Sequence, residues 1–323
     1  MSLKGDRIRL PNRAASHTAT AVRICTPAKI NLILRVLDRR SDGYHNLWSL
    51  MQTVALEDEL RFQVRADSTE LSLKCDAASL PTDRRNLVWR AAALVLDRAG
   101  LQVGLDIEIT KRIPLAAGLG GGSSDAAATI VALNHLLRLG WSGGEMAQVG
   151  AALGSDVPFF FFAPSAIVRG RGEDVAAVTV TGARWVVLVH PGFPIETRWA
   201  YDRLAATREH VRPLSEQHSR IASQASLAWE DVIPLMENDF EQPLVPVYDA
   251  IRKMKARLLS EGAETALLSG SGATVFGIFR DEDSAVRAQT SVGQVRGWRA
   301  YAGRAGTASL SCHEESSDPF RVC

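Results

Sequence analysis

Little in this chain settles its class at once. Its 323 residues include only four cysteines, Cys25, Cys75, Cys312 and Cys323, and none falls at a ligand spacing. That excludes a cysteine-built zinc site and points to a reducing compartment, so a cytoplasmic protein is expected. The formal net charge is only +1. Without a basic stripe, nucleic acid is not expected as a partner. The most apolar run, residues 157–168, is short and holds Pro158 and Pro164, so no membrane span is expected. No Gly-Lys pair occurs anywhere, which removes the P-loop. Counting from Gly118, the sixth position is Ser123 rather than glycine, so the dinucleotide fingerprint fails. His-Arg-Asp and Asp-Phe-Gly are also missing, which removes the protein kinases. The hydrophobic fraction of 46% and charged fraction of 23% are those of an ordinary globular protein, and the length suits two domains.

What stands out instead is residues 114–124, Pro-Leu-Ala-Ala-Gly-Leu-Gly-Gly-Gly-Ser-Ser. Gly118, Gly120, Gly121 and Gly122 let the backbone turn sharply and approach a ligand with no Cβ in the way. Asp125 and an apolar helical pattern follow, so Ser123 or Ser124 is a candidate cap. A helix opening on a glycine-rich loop offers unpaired N–H groups and a partial positive charge, which together bind phosphate. The alternative is a tight turn without a ligand. Four glycines in seven residues make that a costly turn, because each adds unfolded-state entropy.

Around this loop the pattern alternates between strand and helix. Residues 1–20 read as a basic, disordered tail. Strands are expected over 22–36, 47–56, 59–64, 70–74 and 103–109, with a turn at Asp42-Gly43. The spacing predicts helices over 86–100, closed by Gly100, over 125–139 and over 146–153. Paired strands are expected at 166–172 and 175–180, and a buried strand at 185–189. Four segments follow: domain one over 21–183, domain two over 184–307, and tails at 1–20 and 308–323. Residues 203–230 are polar and poorly periodic. The second domain reads as a helix over 247–259, a strand–glycine turn–strand over 267–279 and a helix over 283–295, an α+β pattern.

Several side chains can carry chemistry. Lys29 and Asn31 sit at i and i+2 of a strand and share a face, with Ala28, Ile30 and Leu32 on the other. Either this is a half-exposed strand or both polar groups enter a cleft. Asp156 lies in Gly-Ser-Asp-Val-Pro, where an ordinary turn residue and a proton-accepting carboxylate are both consistent. Tyr44 and His45 follow Asp42-Gly43. A hairpin tip explains them, and so does a ring that stacks on a base beside an imidazole that bonds its edge. Gly270-Ser271-Gly272 is either a hairpin turn or a second ligand-facing loop.

Together these pieces resemble the GHMP kinase superfamily, whose three motifs appear in order at 27–32, 114–124 and 268–276. The resemblance spans about residues 22–305. It implies an α+β, two-lobed fold, with a first lobe like domain 2 of ribosomal protein S5 and a ferredoxin-like second lobe. It implies ATP as co-substrate with Mg²⁺, and Ser124 as a candidate metal ligand. Pro114, Gly118, Leu119, Gly120, Gly121, Gly122, Ser123 and Ser124 would wrap the ATP phosphates, with Asn86 and Lys111 near the nucleotide. Asp156 would be the catalytic base and Lys29 its charged partner. Asp-Gly-Tyr-His and Gly-Ser-Asp-Val-Pro narrow the resemblance to members acting on a cytidine diphosphate-linked methylerythritol, phosphorylated on its 2-hydroxyl. Asn31, Tyr44 and His45 would then hold that substrate, with Thr197 and Tyr201 beside them and Tyr201 as the second face of a cytosine sandwich. A monomer or homodimer is expected. The rival readings are a homoserine or mevalonate type of kinase, and an S5-like nucleic-acid-binding module.

Overall fold

Alternating apolar residues build β1 (Ala21–Arg39) and β2 (His45–Arg65) into a long antiparallel hairpin, closed at Gly43 with φ 86°. The structure is a computed structural model and describes residues 21–306 and 310–314. The tail expected over 1–20 lies outside the described residues. β2 is one strand where the sequence suggested two. Pro27 pairs with Glu57 and the next residue, Ala28, pairs with Val54. The resulting bulge at Ala55 and Leu56 resets the alternation, which reads as a break in the sequence.

β3 (Leu71–Cys75) runs parallel to β4 (Gly104–Thr110), and β4 runs antiparallel to β2. Between them lies α1 (Leu87–Ala99), capped by the Asn86 side chain and ended by Gly100 at φ 64°. α2 (Gly121–Leu136) and α3 (Gly143–Ala151) follow. α2 starts four residues earlier than expected. Gly120 takes φ 70° as its N-cap, so Gly121 and Gly122 are already helical. α3 also starts early, on a Ser142–Glu145 capping box. β5 (Ser165–Gly170) joins β2, β6 (Asp174–Ala177) joins β5, and β7 (Thr179–Thr181) follows.

The second lobe begins with β8 (Trp185–His190). The polar stretch after it is structured. It holds α4 (Thr197–Thr207), α5 (Glu216–Ile221), β9 (Ser226–Ala228), α6 (Trp229–Val232), β10 (Glu237–Asn238) and α7 (Glu241–Leu244). β9 pairs with β7, and β10 pairs in parallel with β1 of the first lobe. Then come α8 (Asp249–Ser260), β11 (Thr265–Leu268), β12 (Val275–Phe279), α9 (Glu282–Gly293) and β13 (Arg299–Arg304). Strand order β11-β12-β8-β13, with α8 and α9 as the crossovers, is the ferredoxin-like arrangement. β14 (Cys312–Glu314) pairs antiparallel with β1, so the tail expected from 308 onward is a strand over this stretch.

The layers stack as helices, sheet, sheet, helices. α1 and α2 bury Val88, Val95, Ile130 and Leu133 against Leu60, Phe62 and Ile107 of the first sheet. The other face of that sheet, through Ala28, Ile30, Leu32 and Leu50, meets Val186, Leu188, Phe276 and Ile278 of the second. Val187, Val189 and Val275 point the opposite way, onto Ile251, Met254 and Ala288 of α8 and α9. β8 is therefore covered on both faces, which explains its unbroken apolar run. Each fully buried Leu, Ile or Phe stabilises the fold by about 1.5–3 kcal/mol.

Candidate active site

The strand alternation of β1 sends Ala28, Ile30 and Leu32 into the inter-sheet core, and therefore Lys29 and Asn31 to the other side, toward the start of α2. Neither is half-exposed. Lys29 is 3% exposed and Asn31 1%. A buried ammonium needs partners, and it has them. Lys29 Nζ donates to Asn31 Oδ1 at 2.8 Å and lies 3.3 Å from Asp156 Oδ2. Asn31 Nδ2 donates to Ser49 Oγ at 2.9 Å, and Ser49 Oγ donates to the Ile33 carbonyl at 2.7 Å. This chain fixes the amide's orientation and so aims Lys29. Asp156 sits in the turn between α3 and a short 3-10 helix, Pro158–Phe161, with its side chain 33% exposed.

Two glycine loops frame the pair. The Lys29 N–H donates to the Leu119 carbonyl at 2.9 Å. A Cβ on Gly120 would stand 2.8 Å from Lys29 Cγ, so only glycine lets the loop pass. A Cβ on Gly118 would stand 2.2 Å from the carbonyl oxygen of Ser269, at the head of the loop between β11 and β12. Ser269 Oγ donates to the Gly118 carbonyl at 3.0 Å. Gly270-Ser271-Gly272 is thus both a hairpin turn and a wall of the site. Asn238 on β10 holds that wall, donating to the Leu268 and Gly270 carbonyls at 2.7 and 2.8 Å. Pro114 is half-buried in the approach to the first loop, and Leu119 is buried, facing the inter-sheet core.

Gly121, Gly122 and Ser123 form the first turn of α2, and no side chain caps it. Their N–H groups are the ones a helix leaves without partners. Neither serine is the expected cap. Ser124 is 0% exposed, its hydroxyl donates to the Pro27 carbonyl at 2.8 Å, and it touches Thr26 Oγ1. Its oxygen is turned into the packing between α2 and β1, so it does not fit the expected role of metal ligand. Ser123 instead faces the turn that carries Asp156, with its Oγ 3.9 Å from where a Cβ on Gly154 would lie.

Lys111 borders the loop, with Nζ 3.4 Å from the place of a Gly121 Cβ. Its charge is already engaged, by Asp58 and by Asp125 Oδ2 at 2.7 Å. Sequence reasoning missed both carboxylates as a cluster. Burial opposes the Lys111 charge, but Asp125 and Asp58 outweigh it and hold its pKa above the usual lysine value. Burial, reinforced by the Asp58 charge and opposed by Lys111, pushes Asp125 up to about 7. Asp58 is anchored separately, its Oδ1 accepting from the Arg112 and Ile113 N–H groups at 2.6 and 2.8 Å. Asn86 also stands near the loop, since Leu87 packs on Gly122, but its side chain caps α1 and donates to the Pro81 carbonyl at 2.8 Å.

At the outer end, His45 stacks on Tyr201 with centroids 5.1 Å apart and planes 21° apart. That spacing leaves no room for a base between them, so the sandwich expected of Tyr201 cannot use this face. Tyr201 meets Phe240 edge-on at 4.9 Å. Burial, then the Asp156 charge, pushes its phenol up to about 12. Burial, with Arg208 and Arg39 nearby, holds His45 below the usual histidine range. Tyr44 is 53% exposed and lies under Arg171. Thr197, at the start of α4, meets Ser271 Oγ at 3.1 Å and so touches the second glycine loop.

An uncapped helix mouth beside a buried lysine paired with a partly exposed carboxylate suits transfer of a phosphoryl group. Residues 86–163 match the family model for the GHMP kinases N terminal domain, and residues 218–295 the model for GHMP kinases C terminal. A curated relative from Syntrophus aciditrophicus is 42% identical over 280 residues, 87% of this chain and 98% of its own length. The chain belongs to the GHMP kinase family, which uses ATP as co-substrate. That relative is named 4-diphosphocytidyl-2-C-methyl-D-erythritol kinase. A crystal structure of a 4-(cytidine 5'-diphospho)-2C-methyl-D-erythritol kinase superposes with a TM-score of 0.70 at 33% identity, covering 88% of this chain and all of the other. A homoserine kinase from Cytophaga hutchinsonii superposes at 0.72 with 18% identity, over 94% of this chain and all of its own, and so shares the fold. Among the described residues no helix is long and apolar enough to cross a membrane.

Proposed function

We propose that this chain transfers the γ-phosphoryl group of ATP to the 2-hydroxyl of 4-diphosphocytidyl-2-C-methyl-D-erythritol, in the methylerythritol phosphate route to isoprenoid precursors. The observation that carries this reading is the Lys29–Asp156 pair at the mouth of α2, in a chain that covers 98% of a relative bearing that kinase's name.

The geometry supports the following roles. The free N–H groups of Gly121, Gly122 and Ser123 take the ATP phosphates, helped by the helix dipole. Asp156 accepts the proton of the attacking hydroxyl, a contribution typically worth about 10²- to 10⁴-fold. Lys29 donates one hydrogen bond to Asn31 and forms an ion pair with Asp156, which leaves donor capacity for the charge on the moving phosphoryl group. Tyr44, His45 and the Tyr201 shelf hold the cytidine end, and Thr197 lines the way to it. His45, kept neutral by its surroundings, can both donate and accept at a base edge. Magnesium arrives as part of the nucleotide substrate. Such an ion would be held chiefly by phosphate oxygens and water, as Mg²⁺ commonly is; among the described residues there is no group of three or more His, Cys, Asp or Glu placed for a metal ion.

The test is ADP release with 4-diphosphocytidyl-2-C-methyl-D-erythritol, set against homoserine and mevalonate at equal concentration. Turnover of the cytidine compound alone supports the assignment. Preference for either of the others rejects it.

A further inference from the structure

The turn joining β5 to β6, residues 170–173, touches both ends of the site and carries none of the roles above. Gly170 and Gly172 take φ 68° and 129°. The Gly172 N–H donates to the Arg169 carbonyl at 3.1 Å, and the Arg171 N–H donates to Glu173 Oε2 at 2.6 Å. On one side this turn is pressed against the catalytic turn. A Cβ on Gly172 would lie 2.1 Å from the carbonyl oxygen of Ser155, the residue before Asp156. On the other side it reaches the β1–β2 hairpin tip. The Arg171 guanidinium carbon lies 4.2 Å from the Tyr44 ring centroid, and Nη1 is 3.9 Å from Asp42 Oδ2. Glu173 Oε1 stands 4.0 Å from Arg40 Nη1, and Arg40 Nε is 3.2 Å from Asp42 Oδ2.

We propose that Arg171 is a specificity-determining, positioning residue for the nucleobase end of the acceptor. It backs one face of Tyr44 so that the half-exposed ring presents its other face to a base. The proposal rests on the cytidine-bearing acceptor named above. A ring at an exposed hairpin tip has rotamers to lose on binding, and ordering it beforehand removes that cost from the binding step. Because the same turn abuts Ser155, the ring is set at a fixed distance from Asp156. The group that reads the base is thereby registered to the group that takes the proton.

Arg171→Ala, Tyr44→Ala, the double variant and Arg171→Lys test this by steady-state kinetics with 4-diphosphocytidyl-2-C-methyl-D-erythritol and ATP. Arg171→Ala should raise KM for the acceptor about two- to fivefold, the range of an exposed cation–π contact. It should leave kcat and KM for ATP where they were. Arg171→Lys, which keeps a cation over the ring, should recover part of the loss. In the Tyr44→Ala background, Arg171→Ala should add nothing, because its effect passes through the ring. An unmoved acceptor KM, an equal rise for ATP, or full additivity with Tyr44→Ala overturns the proposal while wild-type turnover leaves the functional reading standing. A wild-type enzyme that ignores this acceptor overturns both.

Discussion

Replacing Gly118 with alanine should injure catalysis far more than stability, and Gly140 supplies the control. Both glycines hold left-handed backbone, at φ 77° and 71°. An L-residue there costs roughly 1–2 kcal/mol. At Gly140 nothing lies within 4 Å of the new methyl group, so that cost stands alone. At Gly118 the methyl carbon would lie 2.2 Å from the Ser269 carbonyl oxygen and 2.9 Å from that of Gly272. Neither is a flexible side chain. The two glycine loops must separate by about 1 Å to restore an ordinary contact. A displacement of that size in a positioned site costs about 10²-fold in rate. Gly140→Ala should therefore lower Tm by about 2–4 °C with kinetics intact. Gly118→Ala should show a comparable or somewhat larger fall in Tm, together with a loss of about 100-fold in kcat/KM for ATP. Thermal melting and ADP release on both variants decide it. If the two variants had the same kinetics, the packing of one loop on the other would not matter to the reaction.

Asp156→Asn should cut kcat by about 10²- to 10⁴-fold and leave ATP affinity near wild type by calorimetry; full activity would reject Asp156 as the base. Burial makes Asp125 hold its proton more tightly folded than unfolded, its pKa pushed up to about 7 from the ordinary carboxylate value of 3.8. Its contribution to stability is therefore complete below about pH 4 and is lost as pH rises through about 7. The stability of wild type relative to Asp125→Asn should decline across that window in urea titrations, and a rise would contradict the assigned burial effect. Arg35 is buried and gives Nε to Asp239, Nη1 to Glu237 and Nη2 to the Arg212 carbonyl. Arg35→Ala should cost about 3–5 kcal/mol in chemical denaturation, since it removes the buried partner of Asp239 and Glu237 and leaves them the exposed Arg212 and, for Asp239, the Val36 N–H; a loss within the range of surface ion pairs, about 0–1 kcal/mol, would refute that.

What the sequence revealed was local. The i, i+2 spacing of Lys29 and Asn31 placed both on one face of β1, and the structure puts them there together. The glycine run marked the start of α2, and Gly100 marked the end of α1. The α+β pattern of the second half followed from the order of elements, and the two-lobed class from the resemblance to the GHMP kinases. Long-range partners were not legible. Nothing near Lys111 announces Asp58, 53 residues away, and nothing near Arg35 announces Asp239, 204 residues away. Such pairs are chosen by how the sheets stack. Glycine misled the reading at Gly121 and Gly122, because an uncapped helix mouth tolerates the residue that a helix interior disfavours. The elements of 203–230 were missed because they are short and held by caps and packing, as Ser215 holds α5.

Because β10 belongs by sequence to the second lobe and by pairing to the first, no single cut yields two self-sufficient halves. A polypeptide ending before Trp185 would carry an open sheet edge where Glu237 and Asn238 had been, and a guanidinium at Arg35 with its acids gone. The remainder would present bare the apolar side of β8 and β12, together with a bridge from Ala305 that has lost Val54. Such pieces should aggregate when made apart and reassemble only when produced side by side, so that gene fusions and split reporters on this scaffold belong at its termini.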